Sequence, residues 1–266
     1  LNISSFCFTL SPDIDMAKIP AGEQFEMSFF DHLEELRRRI VFATLGIVLG
    51  CILAGAFVDQ LMNWVLLQPA AAVKLELQNL RPFGQAFLFF KVIIMAGLIV
   101  SMPFTLYQLW KFIAPGLYEK ERRWAGKITV YTSFCFLSGV AFAYWIMIPV
   151  MLSFTASFGS TLIKNSIDVT EYFSFITTTL LSAGLIFELP MIAYILSSIG
   201  IITPEMLRKY RRHAIVVILV LAAALTPSTD PVSQLVFALP LWVLYELSIL
   251  VTVFARKQKE PESTIA

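Results

Sequence analysis

The sequence predicts an all-α polytopic membrane protein: six transmembrane helices in a curved, concave bundle, with both termini cytoplasmic. Three observations carry that prediction. Of the 266 residues, 58% are hydrophobic and 15% charged, against roughly 45–50% and 25% in a soluble domain, and the mean hydropathy is +0.75. The apolar residues fall in runs long enough for membrane helices rather than barrel strands. The basic residues concentrate in alternate loops, as the positive-inside rule requires of a chain that crosses repeatedly. This composition excludes a soluble globular, disordered or disulfide-stapled chain. Cys7, Cys51 and Cys135 are scattered and two lie in apolar runs, so neither a disulfide framework nor a metal site is expected.

Taken in order, residues 1–27 read as a poorly ordered extension. They do not resemble a signal peptide: the first basic residue is Lys18, and the apolar stretch Phe6–Leu10 is too short for a hydrophobic core. A membrane domain is expected over 28–255 and a cytoplasmic tail over 256–266. The first apolar run, Ile40–Val58, covers 19 residues, about 28 Å of helix and enough to span a bilayer. The second runs over Ala86–Trp110, the third over Ile128–Ser153, the fourth over Phe173–Ile202 and the sixth over Leu235–Ala255. The fifth, Ala214–Leu225, has only 12 apolar residues, about 18 Å, short for a normal bilayer. A re-entrant segment is the alternative there, but its flanks, RKYRRH and TPSTDP, differ sharply and favour a crossing. Pro103, Pro149, Pro190 and Pro240 lie inside spans. Each removes a backbone hydrogen bond and tends to kink its helix, which argues for a curved bundle.

Charge sets the orientation. Lys18 and Arg37–Arg39 precede span one; Lys111, Lys120, Arg122, Arg123 and Lys127 lie between spans two and three; Arg208, Lys209, Arg211 and Arg212 lie between four and five; Arg256, Lys257 and Lys259 follow six. The opposite side carries only Lys74, Arg81 and Lys164. Both termini are therefore expected in the cytoplasm. In the first outer loop, QLMNWVLL (Gln60–Leu67) is expected as a short amphipathic helix on the outer surface.

Several side chains carry chemistry. In FDHLEELRRR, Glu34/Arg38 and Glu35/Arg39 are spaced i, i+4 with the acid first, the favourable order on a helix. Read by spacing alone, this is a self-paired interfacial helix. In YQLWKFIAPGLYEKERR, Pro115-Gly116 separates two helices and Glu119 can pair with Arg123. Glu121 has Trp124 and Ala125 at i+3 and i+4, so it lacks a local helical partner and is available to an external cation, or is a solvated loop acid. Glu188 sits midway through span four, where an ionised carboxylate costs several kcal/mol. Lys91, in span two, is expected to snorkel outward, Glu246 to serve a structural role in span six, and Asp230 to cap that helix from the outer turn. No GxSxG, HExxH or Walker A motif occurs. An enzyme is not expected, nor a cofactor or a nucleic-acid partner.

Four segments together carry a resemblance. HLEELRRR before span one, YQLWKFIAPGLYEKERR between two and three, FELP in span four and LTPSTDPVSQ between five and six make the chain resemble the TatC family, the receptor subunit of the twin-arginine protein translocase. The match covers about Ser28 to Ala255. The resemblance implies a receptor that binds twin-arginine signal peptides of folded cargo and works with TatA/TatB-type single-span subunits. It also implies self-association in a receptor complex and transport driven by the proton-motive force. By the same resemblance Glu35, Arg37, Phe112, Pro115, Tyr118 and Glu121 match the signal-peptide site. Glu188 matches an intramembrane acid linked to partner-helix contacts, and Asp230 and Gln234 match the outer turn and start of span six. The location implied is a bacterial inner membrane, with a thylakoid membrane as alternative. The physics agrees: a guanidinium pairs with carboxylates through directional, bidentate hydrogen bonds that an ammonium cannot copy. The competing class is a proton-coupled small-molecule transporter using Glu188 and Lys91; the absence of a visible internal repeat counts against it.

Overall fold

A computed structural model describes residues 29–113, 125–157, 166–225 and 231–257. The extension over 1–27, and Pro115, Tyr118, Glu121 and Asp230 among the expected site residues, lie outside the described residues. Among those described, five helical spans are long and apolar enough to cross a membrane: His32–Ala56, Gly84–Ile113, Ile128–Ser157, Val169–Ser198 and Gln234–Ala255. The fifth apolar run forms a helix of 15 residues, Arg211–Leu225, about 22 Å long and short of a normal crossing, as its composition predicts.

Helix α1 (Phe29–Ala56) is followed by a single turn, α2 (Val58–Gln60), a π-helical stretch Leu61–Leu66 and α3 (Gln68–Ala72). The segment Gln60–Leu67 is helical, largely as a π-helix, with Leu66 buried in the main core and Trp64 exposed, the two-faced arrangement of an amphipathic helix. Strand β1 (Glu76–Gln78) leads into α4 (Gly84–Ile113). The third span is α5 (Ala125–Phe142), a π-helical stretch Ala143–Met147, and α6 (Ile148–Ser157). Pro149 has no N–H to offer the carbonyl of Trp145 four residues back, and the π stretch immediately before it absorbs the fault. Strand β2 (Ser166–Asp168) pairs in parallel with β1, Glu76 opposite Ser166 and Gln78 opposite Asp168. This strand pair is a small departure from the all-α expectation. Its residues sit in the connections between the first and second and between the third and fourth long spans, where main-chain groups outside a helix need partners.

The fourth span is broken. Helix α7 (Val169–Ile186) stops where Pro190 would drive its ring into the Ile186 carbonyl, and α8 (Leu189–Ser198) restarts with that proline in its first turn. Pro103 and Pro240 leave α4 and α11 (Pro231–Lys257) helical throughout. A short α9 (Pro204–Lys209), capped by Thr203, precedes α10 (Arg211–Leu225).

Helix α1 lies along α4, α5 packs on α4 and α7, and α11 packs on α8 and α10. The α1–α4 seam is close because of its small residues. A Cβ on Gly50 would lie 2.5 Å from the Gly97 carbonyl oxygen, and one on Gly97 would lie 2.7 Å from the Cys51 backbone. Close approach of small residues replaces the hydrophobic drive that lipid does not supply. The main core gathers Leu88 and Val92 of α4, Met147 and Ile148, Phe173 and Ile176 of α7, and Phe237 of α11. A second cluster, Leu106, Trp110, Ile128, Phe136 and Ile195, closes the end where α4 finishes and α5 begins. The Trp110 indole donates to Thr132 Oγ1 at 3.0 Å there, so the buried N–H is satisfied.

Candidate functional site

The start of α1 and the end of α4 are joined at one face of the molecule. The His32 ring stacks on Phe112 with centroids 4.5 Å apart and planes 18° from parallel. One turn further in, the Arg39 guanidinium bridges the helices. Its Nε donates to Glu35 Oε1 at 2.6 Å, its Nη2 approaches the same oxygen, and its Nη1 donates to Gln108 Oε1 at 3.1 Å. The Glu35/Arg39 pairing expected from helical spacing is therefore formed, and Gln108 extends it to a second helix. Gln108 is buried, whereas Glu35 and Arg39 are partly open. The companion pair is not formed: Glu34 is exposed, and Arg38 instead lies over the Phe42 ring, 5.7 Å from its centroid. Arg37 is exposed on the same helix. Glu35 and Phe112 thus lie at one end of the α1–α4 pair, with Arg37 exposed on the same helix, and the connection 114–124 that follows α4 holds Pro115, Tyr118 and Glu121 outside the described residues.

Glu188 stands at the break between α7 and α8, in the middle of the fourth span. It is 5% exposed, enclosed by the chain itself, and its Oε1 has no hydrogen-bond partner among the described residues. Its position follows from the proline: without Pro190 the helix would continue and the acid would lie on an unbroken wall. The adjoining seam is tight, since a Cβ on Gly139 would lie 2.7 Å from the Ala183 carbonyl oxygen. A buried polar atom without a partner is uncommon and costly, which makes Glu188 the least satisfied polar side chain in the spans for which a role is expected.

Three other polar groups are engaged within the chain. Gln234 donates from Nε2 to the Leu219 carbonyl at 3.0 Å, tying the start of α11 to α10. Glu246 accepts from Arg211 Nη2 at 2.6 Å, which fits the structural role expected of it. Lys91 departs from expectation: it does not reach outward alone, because its Nζ donates to Ser174 Oγ at 2.7 Å and links α4 to α7. A neighbouring acceptor inside the bundle outweighs the longer reach to the surface.

Sequence reasoning missed the hydrogen-bonded cap at the opposite face. Tyr144 and Tyr172 donate to the carbonyls of Val65 and Leu66, at 2.9 and 2.7 Å, in the π-helical stretch. Asp168 accepts from the main-chain N–H groups of Thr170 and Glu171, at the start of α7, and from Leu80 N at 3.2 Å. Desolvation pushes the Asp168 carboxyl up, but hydrogen bonds from Thr170, Leu80 and Glu171 outweigh it and hold it below the usual carboxylate value. The segment DVTE, an acid followed three residues later by Glu at the head of an apolar run, was the signal for that cap. No comparable signal exists for the tyrosines, whose partners are 79 and 106 residues away.

Among the described residues there is no cluster of His, Cys, Asp and Glu able to hold a metal. The comparisons with known proteins converge. The family model described as Sec-independent protein translocase protein (TatC) matches residues 31–240. A Sec-independent protein translocase protein TatC of Carboxydothermus hydrogenoformans is 37% identical over 237 residues, covering 89% of this chain and 97% of that protein. One from Deinococcus radiodurans is 35% identical over 246 residues, 91% of each. Among solved structures, a crystal structure of the twin-arginine translocase receptor TatC superposes with a TM-score of 0.77 at 33% identity, covering 85% of this chain and 99% of that one. The same translocase receptor in the detergent DDM gives 0.76 at 34% identity. The family model spans most of the chain and these relatives match nearly its whole length at more than 30% identity, so the chain belongs to the TatC family of Sec-independent protein translocase proteins.

Proposed function

We propose that this chain is the signal-peptide receptor subunit of a twin-arginine translocase. Six helices cross a bacterial inner membrane with both termini cytoplasmic, and the fifth crossing is short. The observation that carries the reading is the stacking of His32 on Phe112 at 4.5 Å, which supports a single cytoplasmic surface built from the head of α1 and the α4–α5 connection. On that surface Glu35 and Glu121 each receive one arginine of the signal peptide, with Arg37, Phe112, Pro115 and Tyr118 shaping the site. Two carboxylates match two guanidinium groups in charge and in bidentate geometry. The surrounding arginines repel a basic peptide, so close geometry rather than bulk attraction selects it.

The intramembrane groups serve assembly. Glu188, buried with an oxygen unpartnered among the described residues, takes a polar group from the helix of a TatA/TatB-type subunit, and Asp230 and Gln234 mark the outer end of the same region. Copies of the chain associate in the receptor complex, and the proton-motive force drives passage of folded cargo. The test is photo-crosslinking of a twin-arginine signal peptide to membranes holding equal amounts of each variant. Losing one carboxylate of a charge-assisted pair costs roughly 1.5–3 kcal/mol, about ten- to a hundredfold in affinity. Glu121→Ala is expected to abolish crosslinking, Glu35→Ala to impair it, and Glu119→Ala to change little. Equal damage from Glu119→Ala and Glu121→Ala would reduce the loop to a diffuse acidic patch.

A further inference from the structure

We propose that Arg39 is a built-in competitor for Glu35, a stand-in for the cargo's guanidinium that sets how strictly the site prefers arginine over lysine. The inference rests on the signal-peptide reading of Glu35 above. Its basis is the three-point seat of Arg39: Nε and Nη2 both on Glu35 Oε1, and Nη1 on Gln108 Oε1 at 3.1 Å. The carboxylate offered to an incoming peptide therefore already holds a forked cation, the same chemical group the peptide presents.

Two features make this seat exchangeable rather than permanent. The pair is partly open to solvent, with side chains 17% and 22% exposed, so a peptide can reach its edge. Gln108 is buried and fixed on α4, and its carbonyl oxygen keeps an acceptor on Arg39 when Glu35 is withdrawn. The released guanidinium is not stranded without a partner, which is the usual penalty for breaking a partly buried pair. A cargo arginine replaces the two N–H contacts on Glu35 with two of its own. A cargo lysine presents a point charge without the fork and recovers fewer of them. Lysine-bearing peptides thus meet the repulsion of Arg39 without the geometry that displaces it, a repulsive element of the kind that specificity requires. Arg39 acts through Glu35 and is a positioning residue.

The test measures binding of two synthetic signal peptides, one with an Arg-Arg pair and one with Lys-Arg, to the full-length protein in lipid nanodiscs. Arg39→Gln removes the charge while keeping a hydrogen-bonding side chain. Expected is Arg-Arg binding about threefold tighter and Lys-Arg binding about tenfold tighter or more, so that discrimination between them shrinks. Arg39→Lys keeps the charge but not the fork and is expected to shift both in the same sense by less, which serves where Arg39→Gln inserts poorly. A fall in affinity for either peptide in both variants, or a change of the same factor for both peptides, overturns the competitor. Glu35→Ala separates the two claims. If it loses Arg-Arg binding while both Arg39 variants bind as the parent does, only the competitor fails. If Glu35→Ala binds as the parent does, the signal-peptide reading of Glu35 fails first and takes the competitor with it.

Discussion

The Tyr172 hydroxyl donates to the Leu66 carbonyl at 2.7 Å, joining residues 106 positions apart. Leu66 ends a π-helical stretch, whose main-chain carbonyls are not all used within the helix, and it lies 1% exposed in the main core. A phenol from α7 therefore supplies the donor that the local backbone does not. Removing one partner of a buried hydrogen bond leaves the other unsatisfied, at about 1–3 kcal/mol. Tyr172→Phe should lower thermal stability in detergent by that order. Tyr144→Phe removes the neighbouring bond to Val65, which is exposed to solvent, and should cost much less. Equal losses from the two would mean that burial is not what sets the cost.

The α1–α4 seam predicts a sharp difference between glycines. Gly97→Ala would place a methyl carbon 2.7 Å from the Cys51 backbone, while a Cβ on Gly126 meets nothing within 4 Å. The first change forces two helices apart, at about 1–3 kcal/mol for overpacking. The second improves helix propensity by up to about 1 kcal/mol. Unfolding midpoints of the two variants in the same detergent should move in opposite directions.

Asp168 gives a pH dependence with a defined sign. Hydrogen bonds from Thr170, Leu80 and Glu171 prevail over desolvation and hold its folded carboxyl below the usual value, and the unfolded value is about 3.9. The ionised form is thus favoured by folding. Its contribution is complete above the unfolded value and is lost as the pH falls through the folded one. Protease resistance of the connections that hold β1 and β2 should decline below about pH 4 in the parent chain. Asp168→Asn, which keeps an acceptor oxygen but cannot ionise, should lack that component of the decline and be weaker at neutral pH. A variant with the parent's pH profile would exclude Asp168 as its source.

Glu188 separates stability from assembly. Because Oε1 is buried without a partner among the described residues, replacing the carboxyl by an apolar group of similar size removes an unmet desolvation cost. Glu188→Leu should insert and unfold at least as late as the parent, while crosslinks to a TatA/TatB-type helix fall. Retained crosslinks in Glu188→Leu or Glu188→Ala would remove this residue from the partner contact.

What could be read from the sequence followed local physics. Apolar run length located the five long spans and the short fifth run, and i, i+4 spacing gave the Glu35–Arg39 pair. Proline positions marked the break ahead of Glu188. What could not be read depended on distant partners. Nothing near Arg39 announces Gln108, nothing near Lys91 announces Ser174, and the β1–β2 pairing joins segments of three residues too short to show alternation. Arg38 had two neighbours at helical distance, Glu34 and Phe42, and spacing alone could not rank an exposed acid against an aromatic face.

The short helix α10 yields the final prediction. Its 15 residues, about 22 Å, fall several ångströms below the usual hydrocarbon thickness. It is also tied to α11 at its start and near its middle: Arg211 to Glu246 at 2.6 Å, and the Leu219 carbonyl to Gln234 at 3.0 Å. On the six-crossing reading proposed above, a helix fixed along its neighbour cannot slide to share the mismatch, and the bilayer beside it is expected to thin or admit water. On the proposed function, thinning there would lower the barrier to cargo beside this helix. Four leucines inserted after Ala222 would lengthen the apolar stretch by about 6 Å and restore a normal thickness. Transport of a folded reporter is expected to fall while crosslinking of the signal peptide at the cytoplasmic face stays at the parent level. The insertion lies beyond both tethers from Arg211 and Leu219, so the ion pair with Glu246 should persist, and an Arg211→Gln variant of the parent reports how much of any loss comes from a loosened helix instead. Transport at the parent rate in the lengthened variant would exclude local thinning as the means of passage.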